Sequence, residues 1–285
     1  MTGFIILKMA SSGLLSLQIN HKRSSLSSAV HRIVKDNPLN FSGIRQKQMQ
    51  LLKNIYQVGG DLNGITFDVQ GALWNDGNSY IIKTESGLIM IDCGCGDTLQ
   101  QISSNMKYWD LNPEDIAYCI LTHAHFDHAG GGYLLKEQGV KFIASPETAD
   151  AVLSGDERCC GYLYHKTFTP FEVDQTVSDG EKFTVFGIEF NTMHLPGHSM
   201  GCTAFGLKWG NKYIVFSGDV IGTLLGGDFG WGGSIDFDKK IYTESLRKFA
   251  KVDMDVMIPG HGLSYFHKPR HRVEVALNSA LMQWR

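Results

Sequence analysis

Four side chains able to bind a metal fall within six consecutive positions of this chain: His123, His125, Asp127 and His128, in the stretch Thr122-His123-Ala124-His125-Phe126-Asp127-His128. In an extended segment, residues i and i+2 point to the same side, so His123 and His125 can converge on one ion. Asp127 and His128 then face a neighbouring point. The spacing suits two adjacent cations, one held by each pair. Imidazole and carboxylate without thiolate favour zinc and also accommodate iron or manganese.

The flanking pattern says how such a loop is positioned. Residues 117–121 are an apolar run that reads as a buried strand, and residues 133–137, after Gly130-Gly131-Gly132, read as a helix. The loop therefore sits where a central strand hands over to a helix, at the carboxyl end where sites form in α/β sheets. Three further strand ends carry similar residue types. Pro196-Gly197 is a tight turn that presents His198; the same turn prevents His194 and His198 from acting as a helical pair, so His194 reads as a structural neighbour. Ser217-Gly218-Asp219 ends the strand over 213–216, and Pro259-Gly260-His261-Gly262 ends the strand over 254–258. Asp92 ends the strand over 88–92. It either orients a ligand histidine from behind or is a plain strand-end turn residue.

Further strands are expected over 65–69, 79–83, 141–144, 183–191 (a hairpin) and 203–207, and helices over 98–108, 146–152, 239–252 and 273–284. Residues 156–174 form an irregular, aromatic-rich stretch with Tyr162, Tyr164, His165, Phe168 and Phe171. A Gly-rich loop over 222–233 carries Leu224, Leu225, Phe229 and Trp231. Long loops of this kind often shape a pocket.

The N-terminal part differs in character. Residues 1–60 read as a Ser-rich extension containing a helix over 44–58, built on Ile44, Met49, Leu51, Leu52, Ile55 and Tyr56, that packs on the domain or on a second subunit. Gly59-Gly60 reads as the break before a catalytic domain over 61–285. The 285 residues carry a net charge of −3 with 43% hydrophobic and 19% charged residues, which gives no reason to expect a nucleic-acid surface. The six cysteines do not form a paired framework, and Cys119 lies in a buried strand, so reduced packing thiols in a reducing compartment are expected. The vicinal Cys159-Cys160 reads as a loop pair. No apolar run is long enough to span a bilayer. The expectation is a cytoplasmic protein with a small-molecule substrate, no nucleic-acid or membrane partner, and scope for a homodimer.

Taken in order, Thr-His-Ala-His-Phe-Asp-His, Pro-Gly-His-Ser, Ser-Gly-Asp and Pro-Gly-His-Gly resemble the signatures of the metallo-β-lactamase superfamily, and the resemblance covers roughly residues 61–285. It implies an α/β (α+β) fold, the four-layer αββα sandwich. It implies His123, His125 and His198 on a first metal, Asp127, His128 and His261 on a second, and Asp219 as the bridge. Two Zn2+ would acidify a bound water to a hydroxide nucleophile, polarise a scissile carbonyl and stabilise the oxyanion. Asp127 would accept a hydrogen bond from that hydroxide and aim it. The small positive excess favours substrates with a carboxylate or a developing anion.

The presence of Asp219 points away from true β-lactamases and towards the glyoxalase II-like and lactonase-like hydrolases. The implied function is hydrolysis of a carboxylic ester, thioester or lactone. β-Lactam or other amide hydrolysis is the enzymatic alternative, and a non-catalytic metal-binding scaffold the alternative of another class. The expected pocket wall is Leu224, Phe229, Trp231, Tyr162 and Phe168, although aromatics in such positions are more often plain packing.

Overall fold

The computed structural model describes residues 49–60, 76–221, 229–230 and 232–284. They build two sheets. The first has seven strands in sequence order: β1 (Gln50–Leu52), β2 (Ile55–Gln57), β3 (Tyr80–Lys83), β4 (Leu88–Ile91), β5 (Ile116–Ile120), β6 (Lys141–Ala144) and β7 (Gln175–Thr176). The second has five, ordered β12-β11-β10-β9-β8, where β8 is Lys182–Val185, β9 Ile188–His194, β10 Thr203–Trp209, β11 Lys212–Gly218 and β12 Val256–Pro259. Strands β4 to β7 run parallel, as do β11 and β12, and the remaining pairs are antiparallel.

Side-chain alternation divides the core into three layers. In β3, Ile81 faces one way and Tyr80 and Ile82 the other; in β4, Met90 opposes Ile89 and Ile91. The inward set meets Phe190, Phe205, Phe216, Val256 and Ile258 of the second sheet, forming a dry layer between the sheets. The outer face of the first sheet is covered by α1 (Leu99–Tyr108), α3 (Gly132–Glu137) and α4 (Pro146–Ser154), through Ile102, Met106, Leu135, Ala151 and Val152. Here α2 is the single turn Phe126–Ala129. The outer face of the second sheet is covered by α5 (Lys239–Phe249) and α6 (Pro269–Gln283), through Tyr242, Leu246, Phe249, Val273, Ala276 and Ala280. This is the expected four-layer αββα sandwich.

Local signals agree with these elements. Ser145 caps α4 by accepting from the Thr148 amide, Pro146 follows at the first helical position, and Gly155 ends the helix at φ +65°. Asp238 caps α5 by accepting from the Lys240 and Ile241 amides.

The helix expected over 44–58 is not formed by its described residues. Gln50–Leu52 and Ile55–Gln57 are two strands of a hairpin, turning through Asn54 at φ +64°, and β2 pairs with β3. Ile55 enters the layer between the sheets and Tyr56 the opposite, helix-covered layer. That alternation is the period of a strand, and pairing with β3 decides it. Among the described residues, the first sheet thus begins at Gln50, ahead of the break expected at Gly59-Gly60. The strand expected over 65–69 and the remainder of the N-terminal segment lie outside the described residues.

Candidate metal centre

The carboxyl ends of β4, β5, β9, β11 and β12 supply the polar residues. The loop after β5 delivers His123 and His125, and α2 carries Asp127 and His128 on its only turn. The turn after β9 delivers His198. A register slip between Phe216 and Gly218, where β11 pairs with β12, precedes Asp219. His261 follows β12.

All seven residues named from the sequence come together. The ligating atoms of His123, His125 and His198 lie within 4.8 Å of one another, as do those of Asp127, His128 and His261. In the first group His125 Nδ1 is 3.0 Å from His198 Nε2. In the second, His261 Nε2 is 3.2 Å from His128 Nε2 and 3.0 Å from Asp127 Oδ2. Asp219 lies between the groups: its Oδ2 is 3.5 Å from His198 Nε2 and 3.3 Å from His261 Nε2, and its Oδ1 is 3.5 Å from His128 Nε2.

The donor set fits a divalent cation. His123 Nε2 and Asp219 Oδ1 are buried with no hydrogen-bond partner among the described residues. An unsatisfied buried polar atom costs about 1–3 kcal/mol, which a bound cation would relieve. Burial pushes His123 well down and His125 down to about 3, so both imidazoles are neutral and able to ligate. Burial opposes the charge on Asp127 and Asp219, but the neighbouring His128 and His261 prevail and hold both carboxyls well below the usual range. Burial likewise opposes charge on His128 and His261; the two carboxylates outweigh it, raising His128 well above its ordinary value and His261 to about 10. These protons occupy the atoms that a cation would take, so metal binding is coupled to their release.

Asp92 both orients and turns. Its Oδ2 is 2.9 Å from His128 Nδ1 and accepts the Thr122 hydroxyl at 2.7 Å, while Oδ1 accepts the Thr122 amide at 2.8 Å. Its backbone is left-handed, at φ +52°. Two glycines make room for the centre. A Cβ on Gly77 would collide with the His128 ring, and one on Gly260 with Asp219 Oδ1 and, at 2.9 Å, with His128 Cε1.

Several supports were not visible in the sequence pattern. The Tyr80 hydroxyl donates to the Pro259 carbonyl at 2.6 Å, and Asn78 Nδ2 donates to the Pro259 and Gly262 carbonyls at 3.2 and 3.0 Å, fixing the His261 loop. The Tyr242 hydroxyl lies 2.9 Å from the Asp219 carbonyl and 2.8 Å from that of Val220, and accepts the Gly230 amide at 2.6 Å. Ser234 Oγ donates to the His198 carbonyl at 2.7 Å. The available signal was a polar group on an otherwise apolar strand or helix face.

The residues expected at the pocket wall lie in different surroundings. Leu224 and Trp231 lie outside the described residues. Phe168 is 4% exposed and packs near Phe126 and Phe171 in the helix-covered core. Phe229 packs on Trp284 in a tilted arrangement, with centroids 4.2 Å apart. Each of these two rings has a core cluster beside it. Tyr162 stands exposed at the rim, its hydroxyl 3.5 Å from the Gly233 carbonyl. The aromatic that reaches the centre is Tyr164. Its ring stacks on Phe126 at 5.2 Å and its hydroxyl interacts with the Asp127 carboxylate. Burial and that carboxylate push its pKa up, keeping it a neutral phenol.

His194 Nε2 is 2.8 Å from the Met200 carbonyl, as a structural neighbour would be. All six cysteines are free and buried, and burial pushes Cys159 up to about 12 and Cys160 to about 11, so the vicinal pair holds inert thiols. A cleft of about 360 Å³ adjoins the histidine loop at Ala124 and the His198 turn at Ser199; its walls include Glu147, Asp150, Arg158 and Asp236, and none of the seven residues lines it.

Residues 72–261 match the family model described as the metallo-beta-lactamase superfamily. The chain is 28% identical over 193 residues to the thioesterase pkgB of Emericella nidulans, covering 68% of this chain and 48% of that protein. It is 30% identical over 192 residues to an atrochrysone carboxyl ACP thioesterase of Aspergillus fumigatus (65% and 50%), and 26% identical over 209 residues to the beta-lactamase-like protein 2 homolog of Drosophila melanogaster (70% and 63%). The chain spans about half the length of most of these curated relatives. Among solved structures, it resembles BJP-1, a subclass B3 metallo-beta-lactamase of Bradyrhizobium japonicum, at 25% identity and TM-score 0.63, covering 84% of this chain and 92% of that one. The metallo-beta-lactamase GOB-18 of Elizabethkingia meningoseptica shares the fold at 21% identity and TM-score 0.64, covering 85% and 93%. With two thirds of its length inside the family model and the same sandwich around its histidine loop, this chain belongs to the metallo-beta-lactamase superfamily.

Proposed function

We propose that this protein is a hydrolase with two metal ions that cleaves a carboxylic thioester, with esters and lactones as chemically related substrates. The observation that carries the reading is the place of Asp219, whose carboxylate lies within 3.5 Å of imidazoles from both groups. A carboxylate there suits two cations sharing one ligand. The relatives named as thioesterases support the choice of a thioester.

His123, His125 and His198 would hold one cation, and Asp127, His128 and His261 the other, with Asp219 shared. Bound there, divalent cations supply Lewis acidity, which acidifies water and polarises a carbonyl. The chain itself fixes the geometry. Asp92 keeps the Nδ1 proton of His128 and aims Nε2 at the centre. Asp127, braced by Tyr164, offers a carboxylate that would accept a hydrogen bond from the attacking water and fix its aim. A thiolate leaves readily near neutral pH because its conjugate acid has a pKa of about 8.5, so a thioester asks for no further proton donor.

The test is one hydrolysis panel on zinc-loaded protein: an acyl thioester, an acyl-homoserine lactone, a chromogenic cephalosporin and a bis-aryl phosphodiester, with His123→Ala as control. The thioester is expected to lead by about a hundredfold, which corresponds to about 2.7 kcal/mol of differential transition-state binding. A leading cephalosporin would move the reading to amide hydrolysis, and inactivity throughout with metal bound would move it to a scaffold.

A further inference from the structure

The rim of the centre carries a turn whose outer side the proposed chemistry leaves unused. Gly161–Tyr164 is a single 3-10 turn, entered through Cys160 at φ +55° and left through His165 at φ +53°. Both are non-glycine residues in the left-handed region, a strained arrangement that persists only where surrounding structure imposes it and that clusters at functional sites. The Lys166 amide closes the turn by donating to the Gly161 carbonyl at 3.0 Å.

The turn points its side chains in two directions. Tyr164 goes inward, to Phe126 and Asp127. Tyr162 and Leu163 go outward and are 46% and 47% exposed. The Tyr162 hydroxyl reaches the Gly233 carbonyl; the next residue, Ser234, is tied to the His198 carbonyl, and the one after it, Ile235, is 63% exposed. The turn therefore crosses the rim from the Asp127 side to the His198 side. Tyr162 and Leu163 on the turn, and Ile235 across the Tyr162–Gly233 contact, are three large exposed side chains, each within two residues of a contact to one of the seven site residues. Exposed apolar side chains scattered singly need no explanation, but these three are linked through the Tyr162–Gly233 contact and border the candidate centre, where an apolar part of a ligand can lie.

The proposed reaction says which ligand. The scissile carbonyl must reach the centre, so the acyl chain attached to it must leave over the rim. The neighbouring cleft offers it Glu147, Asp150, Arg158 and Asp236. The turn offers apolar surface. Resting on the thioesterase reading, we propose that Tyr162, Leu163 and Ile235 form an apolar lip that receives the acyl chain of the substrate, making Gly161–Tyr164 the element that sets chain-length preference.

The test uses the full chain loaded with zinc and two non-hydrolysable probes, the methyl and decyl thioethers of pantetheine, titrated by calorimetry. The decyl thioether is expected to bind at least about tenfold more tightly, since each buried methylene contributes to transfer from water. The double variant Leu163→Ser/Ile235→Ser is expected to bring that ratio to about one, with Tyr162→Ser as an independent single variant that lowers it. Met282→Ser, on the exposed surface of α6, keeps the ratio. A ratio near one in the unmodified protein, or a ratio that survives the double variant, overturns the proposal. Hydrolysis of acetyl- and decanoyl-pantetheine separates the two readings. A lip-dependent binding ratio without turnover upholds the lip and refutes the thioesterase; turnover with a ratio near one does the reverse.

Discussion

Asp92 and His128 are locked together behind the metal centre: Oδ2 of the one lies 2.9 Å from Nδ1 of the other, and both side chains are almost fully buried. The Thr122 amide and hydroxyl hold the carboxylate from its other sides. The imidazole thus has one orientation, with Nδ1 on Asp92 and Nε2 directed at Asp127 and His261. Replacing Asp92 by Asn removes the charge and retains the shape. Zinc affinity at the Asp127–His128–His261 group is expected to fall about 10–100-fold, while the His123–His125–His198 group keeps its own. Zinc calorimetry on the variant checks this; two unchanged binding phases would show that Asp92 is only a turn residue.

Gly77 lies against the His128 ring so closely that no Cβ can be added without displacing it. Its amide also donates to the Asp127 carbonyl at 2.9 Å. Gly77→Ala is expected to cost about 1–3 kcal/mol of stability through overpacking, and to weaken zinc binding with it. Urea unfolding with and without metal measures both effects. A variant as stable as the parent would mean that the loop yields easily.

Asp76 gives a pH dependence with a definite sign. Burial pushes its pKa up from 3.8 to about 6; hydrogen bonds from Cys95 and Thr98 partly counteract this, and the Asp127 charge adds to it. A raised pKa means that the folded state binds this proton more tightly than the unfolded chain. The associated stability is complete below about pH 3.8 and is lost as pH rises through about 6. The loss amounts to about 3 kcal/mol at one pKa unit per 1.36 kcal/mol. In metal-free protein, the stability of Asp76→Asn relative to the parent should therefore increase between pH 4 and pH 7. A difference that is flat with pH would contradict the shift.

Tyr164 contributes a hydroxyl to Asp127 and a ring to Phe126. Tyr164→Phe keeps the ring and removes the hydroxyl. Thioester kcat is expected to fall about 10–100-fold with KM little changed, and the melting temperature to stay near that of the parent. A matching loss of stability, or a rise in KM alone, would assign Tyr164 to packing or to substrate binding.

The seven clustered residues stood out in the sequence because four fall within six consecutive positions and the other three each follow a glycine at or just beyond a strand end. Strands such as Leu88–Ile91 and Val256–Pro259 were legible as apolar runs. The hairpin at Gln50–Gln57 was not. Leu51, Leu52, Ile55 and Tyr56 satisfy a helical spacing as well as an alternating one, and pairing with Tyr80–Lys83 decides between them. The choice among aromatics was equally hidden. Residues 156–174 have no periodicity, so whether Tyr162, Tyr164 or Phe168 reaches the centre depends on the left-handed backbone at Cys160 and His165, which composition does not encode. Phe168 and Phe229 were expected at the pocket because they sit in loops; in the fold each of the two rings packs against a core cluster.

The central claim is that Asp219 joins two cation sites into one centre. Zinc titration of the metal-free chain by calorimetry tests it, run in two buffers of different ionisation enthalpy so that released protons are counted. Two equivalents per chain are expected, with protons released from His128 and His261, and Asp219→Ala is expected to weaken both binding phases. A single equivalent in the parent, or an Asp219→Ala titration that overlays the parent's, would contradict it.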